Sequence, residues 1–160
     1  WLKRRTPQGI VIGGAAGAVP PLVGWAAVTG GIDLPALYLF AIIFFWTPPH
    51  FWALSLLIKD DYAQAEVPML PVVRGVSETT RSIMLHTIIL VAITILFFTI
   101  QVLGWIYLAT AIVLGLGFLF FAWRLLTVGG IRVTRQLYLY SLLYLALIFV
   151  AIMVDSVLVS

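Results

Sequence analysis

The sequence predicts an all-α, polytopic transmembrane helix bundle, and three observations predict it. Of its 160 residues, 63% are hydrophobic and only 9% charged, against about 25% charged in an ordinary soluble domain. Five apolar runs, at about 10–28, 34–57, 83–103, 106–126 and 138–159, each approach the roughly 20 residues a membrane-spanning helix needs. The polar stretches between them are short, and the longest, residues 59–81, is too small to be a domain. With a mean hydropathy of +1.15, so small a chain cannot hide its apolar surface in one core, whereas lipid surrounds every helix with apolar groups. Backbone groups in hydrocarbon must be satisfied within their own segment, so spans of this length are helices rather than strands.

Each run carries local signals of its own. In the first, Gly13, Gly14, Ala15, Ala16, Gly17, Ala18 and Gly24 form a face of small residues, with Gly13 and Gly17 in the GxxxG spacing that lets a neighbouring helix approach closely. Pro20-Pro21 should break or kink that run. Asp33 can cap the second run with Pro35 in its first turn, and Pro48-Pro49 should kink it. Ser77 with Glu78 suits the start of the third. Near helix ends Trp25, Trp105, Tyr107, Tyr138 and Tyr140 read as interfacial anchors. There is no internal repeat.

Charge gives an orientation. The net charge is +3 and the pI near 9.5, but the nine basic residues are scattered instead of forming one dense stripe, which excludes a nucleic-acid surface. Anionic lipid or a phosphate-bearing substrate fits better. Lys3, Arg4 and Arg5 precede the first run, Lys59, Arg74 and Arg81 lie between the second and third, and Arg124, Arg132 and Arg135 surround the fourth-to-fifth turn. All nine thus map to one side, cytoplasmic by the positive-inside rule, with Asp155 on the other and the C-terminus outside. The absence of cysteine removes disulfides and thiolate chemistry. Opening on Trp1 without an initiating Met, the chain reads as a fragment.

The stretch after the second run holds Asp60, Asp61 and Glu66 within seven residues. Such hard oxygen ligands suit Mg²⁺, which takes one or two carboxylates together with substrate phosphates and water. Arg74 and Arg81, with Lys3, Arg4 and Arg5 on the same side, supply donors for phosphate oxygens. On charge alone the same residues also suit a solvated connector with topology-fixing cations. The embedded Val67-Pro68-Met69-Leu70-Pro71 argues instead for a loop folding over a membrane-level cavity. His50 lies inside the second run in Trp46-Thr47-Pro48-Pro49-His50-Phe51-Trp52. An ionisable residue at that depth is a functional candidate, able to touch a cofactor or handle a proton. An interhelical hydrogen bond that steadies the kink is an equal reading. His86 reads as interfacial.

In these motifs the sequence resembles the protohaem IX farnesyltransferase (haem O synthase) family, one of the UbiA-type intramembrane prenyltransferases. The resemblance covers essentially the whole chain. It rests on Leu2-Lys3-Arg4-Arg5-Thr6-Pro7-Gln8 with Ile12-Gly13-Gly14-Ala15-Ala16-Gly17, on Trp46-Thr47-Pro48-Pro49-His50-Phe51-Trp52-Ala53-Leu54, and on Asp60-Asp61-Tyr62-Ala63 with Val67-Pro68-Met69-Leu70-Pro71-Val72. It implies that residues 1–160 are the C-terminal portion of one prenyltransferase domain, the last five of nine helices, with an earlier acidic motif outside this chain. It further implies farnesyl diphosphate and haem b as substrates, a bacterial inner membrane, and haem A synthase or terminal oxidase assembly factors as partners. Lys3 and Arg4 match the family's diphosphate-binding basic motif, Asp60 and Asp61 its second Mg²⁺-binding acidic motif, and His50 its haem-contacting or proton-handling histidine. Two positions depart from the pattern: Gly9 stands where the family usually has Asn, and Glu66 where it usually has Gly, in a turn that glycine would ease. Two rivals keep the membrane bundle but change the chemistry: prenyl transfer to a quinone precursor or chlorin, which the His50 motif argues against, and a non-enzymatic transporter or membrane subunit. A transporter would more naturally carry its polar residues near mid-bilayer.

Overall fold

The computed structural model describes residues 9–159, so Lys3, Arg4 and Arg5 lie outside the described residues. Eight helices follow in chain order: α1 (Gly9–Gly17), α2 (Val19–Thr29), α3 (Leu34–Leu57), α4 (Lys59–Gln64), α5 (Leu70–Val73), α6 (Gly75–Leu96), α7 (Trp105–Thr127) and α8 (Ile131–Val159). A 3-10 turn, Phe97–Ile100, finishes α6. Five units are long and apolar enough to cross a membrane: Gly9–Thr29, Leu34–Leu57, Gly75–Ile100, Trp105–Thr127 and Ile131–Leu158. The protein is an all-α, multi-pass membrane bundle.

Two spans begin earlier than apolarity suggests. Helix α6 starts at Gly75 instead of 83, and α8 at Ile131 instead of 138. Threonines explain the polar extensions. Thr79 bonds back to Gly75 O at 2.8 Å and Thr134 to Gly130 O at 3.0 Å, so each hydroxyl is satisfied by its own helix. Apolarity marks the depth a helix reaches in lipid, not where its hydrogen bonding begins. Before α3, Asp33 holds the expected N-cap position, yet its side chain makes no cap bond; Pro35 occupies the first turn as expected.

The first span is interrupted at Ala18, and Pro20 falls in the first turn of α2, where a missing N–H costs nothing. Helix α3 instead runs through Pro48 and Pro49 unbroken, with both prolines buried. Neither can donate to the carbonyl four residues back, so Phe44 and Phe45 lose their ordinary helical acceptances. Contact between α1 and α3 is offset from the expected GxxxG pair. A Cβ on Gly14 would stand 3.1 Å from Thr47, whereas Gly13 and Gly17 have nothing within 4 Å. Gly14 and Ala18 are the buried positions, because they, one residue along from the pair, face α3.

Helices α3, α6, α7 and α8 form a closed ring in which each packs on the next and α8 returns to α3, while α1 and α2 lie chiefly on α3. Lipid tails give helices no apolar reason to associate, so close fit and hydrogen bonds must do it. At Gly115 an added Cβ would lie 2.8 Å from Val91 of α6, and at Gly117 it would run into the Tyr140 phenol of α8. The core is pinned by phenols: Tyr107 donates to Thr94 O at 2.7 Å, Tyr144 pairs with Thr94 Oγ1 at 2.8 Å, and Tyr140 donates to Leu114 O at 2.9 Å. Interhelical bonds of this kind contribute about 0.6–2 kcal/mol each in a membrane. Tyr107 and Tyr140 are therefore not interfacial anchors: their rings fill the bundle and their hydroxyls are used inside it. Trp105, 76% exposed, keeps the anchor's position.

Candidate functional site

The polar residues divide between the two ends of the ring. At one end the side chain of Asp155, buried in α8, accepts from the Gly104 amide that opens α7. At the other end meet the close of α3, the start of α6 and the α7-to-α8 turn. Around a cleft of about 670 Å³ they present Leu56, Ser77, Arg81, Gly129 and Thr134. Lys59, Arg74, Arg124, Arg132 and Arg135 belong to the same termini.

Here α3 stops at Ile58, whose φ of −117° and ψ of 35° leave helical geometry, and α4 starts directly after it. Asp60 and Asp61 fall in the first turn of α4, where the helix dipole favours negative charge. Both are exposed, and neither makes a side-chain hydrogen bond or ion pair among the described residues. Glu66 follows with a φ of 52°, a left-handed turn that a glycine would ease. The apolar block beyond it is an anchor. Leu70 and Pro71 of α5 are buried, Leu70 within the main core, and α5 packs on α3 and α6. Thus the loop is tied down by its apolar residues while its carboxyl groups stay in the open.

Mg²⁺ completes its shell largely from phosphate oxygens and water, so it asks little of the protein. Two adjacent, exposed carboxyl groups, unpaired among the described residues, fit that small share. Among the described residues no three His, Asp or Glu side chains converge, so this chain builds no complete cage. Arg74 is exposed at the N-cap of α6. Arg81 is exposed in the 670 Å³ cleft, which Asp60 and Asp61 do not line. Lys3 and Arg4, outside the described residues, have no place in this geometry.

His50 is held deep between α3 and α8 and is 7% exposed. Its ring lies in a stack, with Trp46 at 4.4 Å on one side and Tyr138 at 4.8 Å on the other. Phe51 stands perpendicular at 5.5 Å. Nδ1 lies 2.7 Å from Ser141 Oγ, and Trp46 Nε1 donates to Ser141 O, also at 2.7 Å. The interhelical hydrogen bond read as one alternative from sequence is therefore made, and it uses only one ring nitrogen. Tyr138 and Ser141 were not legible as partners: they sit more than eighty residues away, and their spacing of three on α8 is the one signal that they share a face. His86, half-buried, places Nδ1 2.9 Å from Ser82 O and faces the edge of Trp52.

Fold and site together define a multi-pass membrane protein with its exposed acid–base chemistry at one end and an imidazole fixed inside the helices. The profile described as the UbiA prenyltransferase family matches residues 1–142, and the chain belongs to that family. It is 55% identical over 160 residues to the "Protoheme IX farnesyltransferase" of Chloroflexus aurantiacus, covering all of this chain and 27% of that one. It is 54% identical to the proteins of the same name from Gloeobacter violaceus, over 98% of this chain and 52% of that one, and Coxiella burnetii, over 97% and 51%. The chain thus spans about half the length, or less, of these curated relatives. No solved structure matches it.

Proposed function

We propose that the protein containing this chain transfers the farnesyl group of farnesyl diphosphate to a vinyl group of haem b, giving haem O. The observation that carries this reading is the 54–55% identity, across essentially every residue of the chain, to proteins named for that reaction. The geometry supports it through two features: unpaired Asp60 and Asp61 at the basic end, and His50 displayed between two aromatic rings.

Asp60 and Asp61 would hold Mg²⁺ together with the diphosphate. The metal's chemistry there is charge stabilisation on the leaving group. Lys3, Arg4, Arg74 and Arg81 would serve the same end as donors to phosphate oxygens, preorganised where charge develops. As the allylic C–O bond breaks, its electron pair leaves with diphosphate. The vinyl group supplies the electrons of the new C–C bond, water adds to the resulting cation, and loss of a proton leaves a hydroxyl. His50 would contact the haem or take up that proton. The aromatic packing around His50 would help keep stray water from the farnesyl cation. Both apolar substrates would enter from lipid while the diphosphate stays at the basic end. That end would face the cytoplasm of a bacterial inner membrane, and haem A synthase or oxidase assembly factors would receive the product.

The test is to incubate the full-length protein in lipid with haem b, farnesyl diphosphate and Mg²⁺, and to seek haem O by mass. Product that depends on Mg²⁺ is the expected result. Transfer to a quinone precursor or chlorin, with none to haem b, overturns the acceptor.

A further inference from the structure

Ser141 joins two groups that constrain where its single proton can be. Its Oγ lies 2.6 Å from Tyr138 O and 2.7 Å from His50 Nδ1. A hydroxyl has one hydrogen to donate and two lone pairs, and a carbonyl oxygen only accepts. Two oxygens 2.6 Å apart need a proton between them. Ser141 therefore donates to Tyr138 O and has only a lone pair left for His50. Nδ1 must carry the hydrogen of that contact, and in neutral imidazole Nε2 then holds the free lone pair.

Among the described residues Nε2 has no hydrogen-bond partner. Nor is it among the fully enclosed polar atoms without partners, which in the described residues are Trp25 Nε1 and Trp52 Nε1. Nε2 therefore keeps some exposure while the rest of the ring is gripped. Stacking on Trp46 and Tyr138 fixes the ring plane, the Ser141 bond fixes its rotation, and the Trp46 bond to Ser141 O ties the two helices at the same level.

We propose that Ser141 is a positioning residue: it locks His50 as the Nδ1–H tautomer and presents the Nε2 lone pair to the iron of a metalloporphyrin. Neutral imidazole nitrogen is a common metal ligand, and a ligating histidine characteristically gives its other N–H to a second group that sets ring orientation. The iron assignment rests on the haem b reading above; the tautomer does not.

The experiment labels the full-length protein in lipid with [¹⁵N]histidine and reads ring-nitrogen shifts by solid-state NMR, assigning His50 by the signals lost in His50→Gln. In the wild type, Nδ1 should be protonated and Nε2 not. Ser141→Ala should give a mixture of tautomers and Ser141→Thr, which keeps the hydroxyl, should restore one. His86, whose Nδ1 faces the Ser82 carbonyl, is the internal control and should not shift. Titrating haem b into the same samples and reading its Soret band, Ser141→Ala should weaken binding about 10–100-fold, with Ser141→Thr near wild type. Should Ser141→Ala fail to fold, Ser141→Cys, whose sulfur is a weak acceptor, carries the same expectation. A protonated Nε2 in the wild type, or an unchanged tautomer in Ser141→Ala, overturns the positioning role. The expected tautomer in a protein that binds no haem b supports that role and overturns the iron assignment with the haem b reading.

Discussion

Aspartate is used in opposite ways at the two ends of this bundle. Asp155 is 2% exposed, and its side chain takes the Gly104 amide at the start of α7. Asp60 and Asp61 stand exposed at the start of α4, unpaired among the described residues. Burying a polar group without a partner costs several kcal/mol in hydrocarbon, so a carboxyl inside the bundle survives only when bonded. A carboxyl left in the open bears no such constraint and is free for an external cation. Burial with a partner thus marks a structural aspartate, and exposure without one a candidate ligand.

That contrast can be broken or sharpened by substitution. Asp61→Ala should lower farnesyl transfer about 100–1000-fold, the scale of losing one preorganised charge-stabilising group, with the thermal unfolding midpoint in detergent unchanged. Full activity would make the α4 turn a solvated connector. Asp155→Ala should do the reverse, costing about 1–3 kcal/mol of stability by orphaning the Gly104 amide, with transfer per folded molecule kept. An activity loss as deep as that of Asp61→Ala would erase the distinction. The smallest effect is expected at Glu66, whose φ of 52° strains a side-chain-bearing residue by about 1–2 kcal/mol. Glu66→Gly relieves this but loses about 0.5–1 kcal/mol to backbone entropy, so thermal unfolding should show a net gain of at most about 1.5 kcal/mol. A loss instead would mean that the Glu66 side chain makes a stabilising contact.

Much of the architecture was legible because membrane helices obey a short rule, apolar length, which a sequence displays directly. Helix starts were less so, since Thr79 and Thr134 satisfy their own hydroxyls and extend α6 and α8 into polar sequence. At the candidate site, Asp60, Asp61 and His50 could be singled out as candidates from residue type and depth. Their grouping could not be read that way. Arg81 shares a cleft with the α7-to-α8 turn instead of lying beside the acidic pair, and no local pattern near residue 81 names that neighbour. The small-residue face illustrates the same limit at one residue's resolution: Gly14, not Gly13 or Gly17, meets α3, because helix rotation is set by the partner.

By itself, the sequence determined that this chain belongs in lipid and carries five apolar helices long enough to cross it. Composition and run length are sums over residues, and they survive any arrangement of the helices. Only the tertiary structure decided that Ser141 meets His50, that Tyr107 and Tyr144 share Thr94, and that Asp155 closes the start of α7. Such pairings depend on how each helix is turned about its axis, and that rotation is set by packing against neighbours distant in the chain.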